Sequence, residues 1–112
     1  MSMQPNVPVV NVSELPDDAV MVDVRERDEW AAGHAPEAVF IPMGDLPGQL
    51  EALPLSDEPL AIVCRSGNRS GRVVAWLAAQ GIDAVNVAGG MQAWDGAGKP
   101  MVADGAGPAR VI

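Results

Sequence analysis

Five short apolar runs, rich in β-branched residues, recur along the chain. They are VPVVNV (7–12), AVMVDV (19–24), AVFIP (38–42), LAIVC (60–64) and AVNVAG (84–89). Their lengths are those of strands. Three of them stay apolar without alternation, the pattern of strands covered on both faces, as in parallel sheets. Between the runs the period changes. RERDEWAAG (25–33) predicts a short helix with acids in its first turn and a glycine stop. SEL (13–15) predicts a single turn that ends near Pro16, and GDLPGQLEAL (44–53) a weaker helix. Pro47 fits inside the latter only if the helix begins close to it. SGRVVAWLAAQG (70–81) is the strongest helical segment. Ser70 is its predicted N-cap, Val73, Val74, Leu77 and Ala78 form its apolar stripe, and Gly81 ends it. A last short helix is predicted to start at Gly90 and to pack Trp94 against the body. Strands alternating with helices make an α/β domain around a mostly parallel sheet.

The domain is expected to span 7–94. The tail 95–112, DGAGKPMVADGAGPARVI, is rich in Gly, Ala and Pro and is expected to pack on the domain or to be partly disordered. No repeat and no long internal linker divides the 112 residues, which suit one domain. At 48% hydrophobic residues the chain can build a core. A net charge of −8 argues against nucleic acid or an anionic membrane as the main partner. No apolar run reaches the length of a membrane span. The N-terminal stretch MSMQPNVPVV lacks the basic start and long apolar core of an export signal. One cysteine forms no internal disulfide, so the reducing cytoplasm is the expected compartment. One Cys with one His is too small a ligand set for a usual zinc site, so no metal is expected.

The remaining chemistry gathers after the fourth run, in CRSGNRSG (64–71). Cys64, the single cysteine, has two readings: a small buried hydrophobe at a strand end, or a nucleophile in an anion-binding loop. Three features favour the second. Ligands of parallel α/β sheets sit beyond the carboxyl ends of the strands, where Cys64 falls. The loop leads into the best helix, whose first amides favour an anion in front of them. Gly67 lets the loop curl, and the same field lowers a thiol's pKa. Charge agrees: Arg65, Arg69 and Arg72 are three of only seven basic residues, and no acid occurs from Pro59 through Ile82. A local positive site on an acidic body suits a small anionic substrate.

Three segments then carry a resemblance. DVRERDEWAAGHAPEAVFIP (23–42), CRSGNRS (64–70) and VNVAGGMQAW (85–94), in that order, resemble the rhodanese-homology domain over most of the chain, from about Val9 to Trp94. The resemblance implies a rhodanese-like fold, a central five-stranded parallel sheet with helices on both faces. It implies that Cys64 carries a persulfide during sulfur transfer. The family's sulfurtransferases often show C-x-x-G-x-R, which matches Cys64, Arg65, Ser66, Gly67, Asn68 and Arg69. Related phosphatases and arsenate reductases use C-x5-R, one residue longer, whereas Ser70 stands at that place here. A shorter loop makes a narrower cradle of amides, suited to one extra sulfur on cysteine. The expected function is a thiosulfate or persulfide sulfurtransferase that needs no cofactor. Its partners are a small anionic sulfur donor and a thiol or cyanide acceptor, with a protein donor or acceptor also open. The alternatives are a rhodanese-fold binding module without turnover and, less favoured, a phosphatase or arsenate reductase. Inactive relatives often lack the loop cysteine.

The expected roles divide accordingly. Cys64 is catalytic. Arg65, Ser66, Gly67, Asn68 and Arg69 hold the substrate, with the two arginines attracting the anionic donor. Asp23, Arg25 and Ser70 have supporting places. For Arg25 a structural ion pair, with Asp23 or with Glu29 one helical turn on, outweighs substrate binding. His34 is read as structural, since a thiolate activated by its loop needs no base. Where the family commonly has GHIPGA, this chain has Ala35 and Glu37, which puts the conformation of that turn in question. Trp30, Trp76 and Trp94 are read as packing residues, and the six methionines show no metal-binding spacing.

Overall fold

The computed structural model describes residues 7–112. Segment 1–6, part of the stretch read above as no export signal, lies outside the described residues. Five strands form one sheet: β1 (Val9–Val10), β2 (Met21–Asp23), β3 (Val39–Phe40), β4 (Leu60–Val63) and β5 (Ala84–Val87). The order across the sheet is β1-β5-β4-β2-β3, and every pairing is parallel. Three helices connect or follow them: α1 (Arg27–Ala32), α2 (Asn68–Ala79) and α3 (Gly90–Gly96). The sheet, its strand count and its parallel sense are those expected from the sequence.

Alternation along the central strands sorts the core into two faces. On β4, Leu60 and Ile62, followed by Cys64, join one cluster with Val73, Val74 and Leu77 of α2. Ala61 and Val63 point the other way, toward Met91 and Trp94 of α3. Both faces are therefore apolar, and β4 reads as an unbroken hydrophobic run for that reason.

Each strand is shorter than its apolar run, Val12 falls in a 3-10 turn (Val12–Glu14), and two helical segments differ from expectation. Segment 44–53 is not an α-helix but two 3-10 pieces, Met43–Gly48 and Leu50–Ala52. Its bonds run three residues back, as in Gln49 N–H to Leu46 C=O at 3.0 Å and Leu53 N–H to Leu50 C=O at 3.2 Å. Pro47 lacks an N–H and blocks an α-helical ladder, and short 3-10 turns tolerate this better. Nor is Ser70 the N-cap of α2. The cap is Gly67, whose left-handed φ of 107° turns the chain three residues earlier and brings Ser70 inside the first turn, fully buried. The far end of α2 matches the prediction. Ile82 N–H reaches Leu77 C=O at 2.9 Å and Gly81 N–H reaches Ala78 C=O at 3.0 Å, the paired bonds of a Schellman stop.

The turn with Ala35 and Glu37 closes normally. Ala38 N–H bonds Ala35 C=O at 3.2 Å, and no described non-glycine residue has a positive φ, so Glu37 fits without strain. The chain beyond α3 runs back over α1. Val102 bridges His34, Asp104 N–H bonds Ala31 C=O at 3.0 Å, and Arg110 N–H bonds Ala32 C=O at 2.9 Å.

The sheet order also fixes where a ligand can sit. From β4 the chain crosses to β5 on one side, and from β2 it crosses to β3 on the other. Between the carboxyl ends of β2 and β4 lies a topological switch point, the crevice where parallel α/β sheets bind ligands. Asp23 and Arg25 border it from β2, and Cys64 from β4.

Trp94 anchors the α3 face. It is fully buried, and its Nε1–H donates to Pro100 C=O at 2.8 Å. Trp94→Ala is expected to destabilise the domain by about 3–5 kcal/mol, read as a lower midpoint in urea unfolding.

Candidate active site

Cys64 follows the last residue of β4, and its side chain is 1% exposed. Its surroundings are built from backbone. α3 abuts the loop: Met91 N–H donates to Cys64 C=O at 2.8 Å and Gln92 N–H to Arg65 C=O at 3.0 Å. A trans peptide carries its N–H opposite its C=O. With both carbonyls tied to α3, the amides of Arg65 and Ser66 face the other way, into the loop. Gly90 is what permits so close an approach. A Cβ there would stand 2.4 Å from the Cys64 carbonyl oxygen and 2.6 Å from Arg65 C, and its φ is 57°.

The other side of the loop is the start of α2. Gly67, its cap residue, has no side chain to accept the first helical N–H groups. The Cys64 sulfur takes that place. Gly67 N–H lies 3.0 Å from Sγ, and the Ser70 hydroxyl lies 3.2 Å from it. Burial raises the Cys64 pKa. The Ser70 hydroxyl and the amides of Ser70, Gly67 and Ser66 outweigh that effect, so the thiol titrates below its ordinary value. Ser70 in turn lies 2.6 Å from Asn86 Oδ1, and Asn86 Nδ2 donates to Gly67 C=O at 3.0 Å.

The loop arginines have partners. Arg69 makes a two-pronged ion pair with Glu29 of α1, Nη1 to Oε1 at 2.7 Å and Nη2 to Oε2 at 2.8 Å. Bonding from Arg69 holds the Glu29 carboxyl down at about 2. Arg65 is exposed, and its Nε–H donates to Ile112 C=O at 2.9 Å. With the Gln92 amide turned to accept, Arg65 Nη1 lies 2.9 Å and Nη2 3.2 Å from its oxygen. Ser66 and Asn68 are exposed at the rim, with Asn68 opening α2.

Asp23 and Arg25 form a fully buried pair, Nη2 to Oδ2 at 2.8 Å and Nε to Oδ1 at 2.9 Å. Arg25 Nη2 also donates to Gly33 C=O at 2.7 Å. Of the two ion pairs foreseen for Arg25, Asp23 is the partner found, and Glu29 goes to Arg69. The pair ties the end of β2 to the end of α1. His34 is engaged elsewhere: Nδ1 lies 2.8 Å from Trp30 C=O, Nε2 lies 3.8 Å from Asp104, and the ring stacks on Trp30 at 3.5 Å. Arg72 lines an apolar cavity of about 230 Å³ with Met43, Leu46, Pro47, Val73 and Trp76. Among the described residues no His, Cys, Asp and Glu cluster could hold a metal ion.

Sequence reasoning missed two participants, Gln92 and Asn86, and offered Glu29 to Arg25 where its partner is Arg69. For Asn86 a signal existed. It is the one polar residue of AVNV, and a buried polar side chain must find partners.

Two outcomes are expected. The Cys64 thiolate forms with a midpoint below that of the same cysteine in the unfolded chain, when followed by its absorbance or by iodoacetamide alkylation. Glu29, with its pKa held from 4.5 down to about 2, adds stability that is fully present above pH 4.5 and lost as pH falls toward 2. Glu29→Gln is expected to flatten the fall of melting temperature across that window.

Known proteins resemble the chain over most of its length. YtwF of Bacillus subtilis is 46% identical over 87 residues, covering 78% of this chain and 84% of its own. A protein of Allochromatium vinosum named sulfurtransferase is 40% identical over 88 residues, covering 78% and 81%. The crystal structure of a rhodanese-related protein from Thermoplasma volcanium superposes with a TM-score of 0.75 at 34% identity, over 85% of this chain and 97% of that one. The family model described as rhodanese-like domain matches residues 11–97, and with that span, this strand order and this loop the chain belongs to the rhodanese-like domain family.

Proposed function

We propose that the protein is a sulfurtransferase that moves a sulfane sulfur from thiosulfate or a persulfide donor to a thiol or cyanide acceptor. Cys64 carries the sulfur between the two. The observation that supports this best is the sulfur's position as acceptor for the start of α2, with Gly67 N–H at 3.0 Å and the Ser70 hydroxyl at 3.2 Å. Donors fixed before reaction stabilise a negative sulfur without rearrangement.

In the first step the Cys64 thiolate attacks the outer sulfur of thiosulfate. A Sγ–S bond forms as the S–S bond of the donor breaks, and sulfite leaves with the electron pair. The negative charge moves to the terminal sulfur, where the amides from Arg65 to Arg69 hold it. In the second step an acceptor thiolate or cyanide attacks that terminal sulfur, and Cys64 leaves as thiolate. Two displacements through one covalent intermediate give ping-pong kinetics. Neither step calls for a cofactor.

The loop arginines fit this reading in unequal ways. Arg65 stands exposed at the mouth and attracts an anionic donor. Arg69 is neutralised in large part by Glu29, so binding of the transferred sulfur falls to the amides. Four residues between Cys64 and Arg69 make a cradle for one sulfur rather than for a tetrahedral oxyanion. A thiol that must stay reduced to work suits the cytoplasm.

The test is intact mass after exposure to thiosulfate and to organic persulfides. Wild type gains one sulfur atom, and Cys64→Ser gains none. If wild type takes up no sulfur from any donor, the proposal fails. Cys64-dependent hydrolysis of an aryl phosphate would replace it with phosphatase chemistry.

A further inference from the structure

One polar group beside the nucleophile has no role in those two steps. Asn86 is buried on β5, at 8% exposure. Its Nδ2 lies 3.0 Å from Gly67 C=O. A carbonyl only accepts, so this bond fixes the amide's orientation and leaves Oδ1 facing Ser70 Oγ at 2.6 Å. The same Oγ lies 3.2 Å from Cys64 Sγ. A serine hydroxyl has one proton to donate, and here it has two acceptors.

The charge on Sγ decides between them. When Sγ is uncharged, as in the thiol or the inner sulfur of a persulfide, the close amide oxygen is the better acceptor. A thiol proton can then be donated to Ser70 Oγ. When Sγ is a thiolate, a charge-assisted bond from Ser70 to sulfur is stronger. Asn86 Oδ1 is then left against a hydroxyl lone pair, and its bond to Gly67 prevents it from turning away.

We propose that Asn86 is a positioning residue for Cys64: by competing for the single Ser70 proton it favours the uncharged states of Sγ, and so biases the thiolate toward taking up sulfur. On loading, the charge moves outward to the terminal sulfur and the Ser70 proton swings to Asn86. No bond changes beyond those of the first displacement. The bias toward loading rests on Cys64 being the sulfur carrier. The competition for the proton does not.

A double-mutant cycle isolates the coupling. Its readout is the midpoint of thiolate absorbance against pH in wild type, Asn86→Leu, Ser70→Ala and the double variant. With one cysteine and no tyrosine in the chain, the band belongs to Cys64 alone. The charged groups around the loop, Arg65, Arg69, Glu29 and the Asp23–Arg25 pair, are common to all four proteins and cancel. Ser70→Ala is expected to raise the midpoint. Asn86→Leu is expected to lower it when Ser70 is present, raising the thiolate-to-thiol ratio at fixed pH about fivefold, and to lose that effect in the Ser70→Ala background. Equal shifts in both backgrounds would reduce Asn86 to a brace for Gly67 and overturn the proposal, as would a raised midpoint with Ser70 present. If Asn86→Leu does not fold by circular dichroism, Asn86→Asp replaces it. That variant is expected to raise the midpoint more with Ser70 than without it, and an equal rise overturns the proposal. Persulfide yield from limiting thiosulfate is expected to fall in Asn86→Leu, and an undiminished yield overturns the loading bias. Absence of any added sulfur in wild type would instead sink the transferase reading, while the cycle still reports on the proton.

Discussion

The open start of α2 is the constraint on which the site depends. A helix begins with N–H groups that have no partner within the helix, and a side chain at the cap usually supplies one. Here the cap is Gly67, which has none, and the sulfur of Cys64 stands in its place. The thiol is thereby both a core atom packed beside Val73 and Val74 and the acceptor that finishes a helix. Burial and hydrogen bonding act on it in opposite directions, and the donors prevail. The thiol of a buried residue is thereby shifted toward its charged form because of what the next residues omit.

The rest of the molecule holds that arrangement still. α3 takes the carbonyls of Cys64 and Arg65, which turns the adjacent amides inward, and Gly90 makes the contact possible. On the opposite side Glu29 grips Arg69 and so fastens α1 to the first turn of α2. The buried Asp23–Arg25 pair locks the end of β2 to the end of α1. These ties come from the β2–β3 connection and from the segment after β5, and they meet at the crevice set by the sheet order.

The strands and the main helix were legible because apolar runs and a 3.6-residue stripe are local signals. The loop was legible for a similar reason: Cys64, Gly67 and Arg69 are neighbours in sequence. What the sequence hid was mostly non-local. Arg69 meets Glu29 forty positions away, and Ser70 meets Asn86 sixteen away. Ser70 was misread as a cap because serine is the usual one, whereas the left-handed turn at Gly67 moves the boundary back. Segment 44–53 reads in sequence as a weaker helix that tolerates Pro47 only near its start, and in the structure Pro47 sits inside a 3-10 piece instead.

The Glu29–Arg69 pair has a consequence for ionic strength. An anion recognised mainly by mobile surface cations is released as salt rises, because exposed charges are screened over about 10 Å at 0.1 M. Here Arg69 is already neutralised in large part by Glu29, and the donors on the sulfur are buried amides and the Ser70 hydroxyl, which salt screens little. The body around them carries a net charge of −8, so its long-range field repels an approaching anion. Added salt therefore weakens the repulsion more than the grip. Under the proposed function, added salt eases the approach of an anionic donor and does little to loosen it once bound.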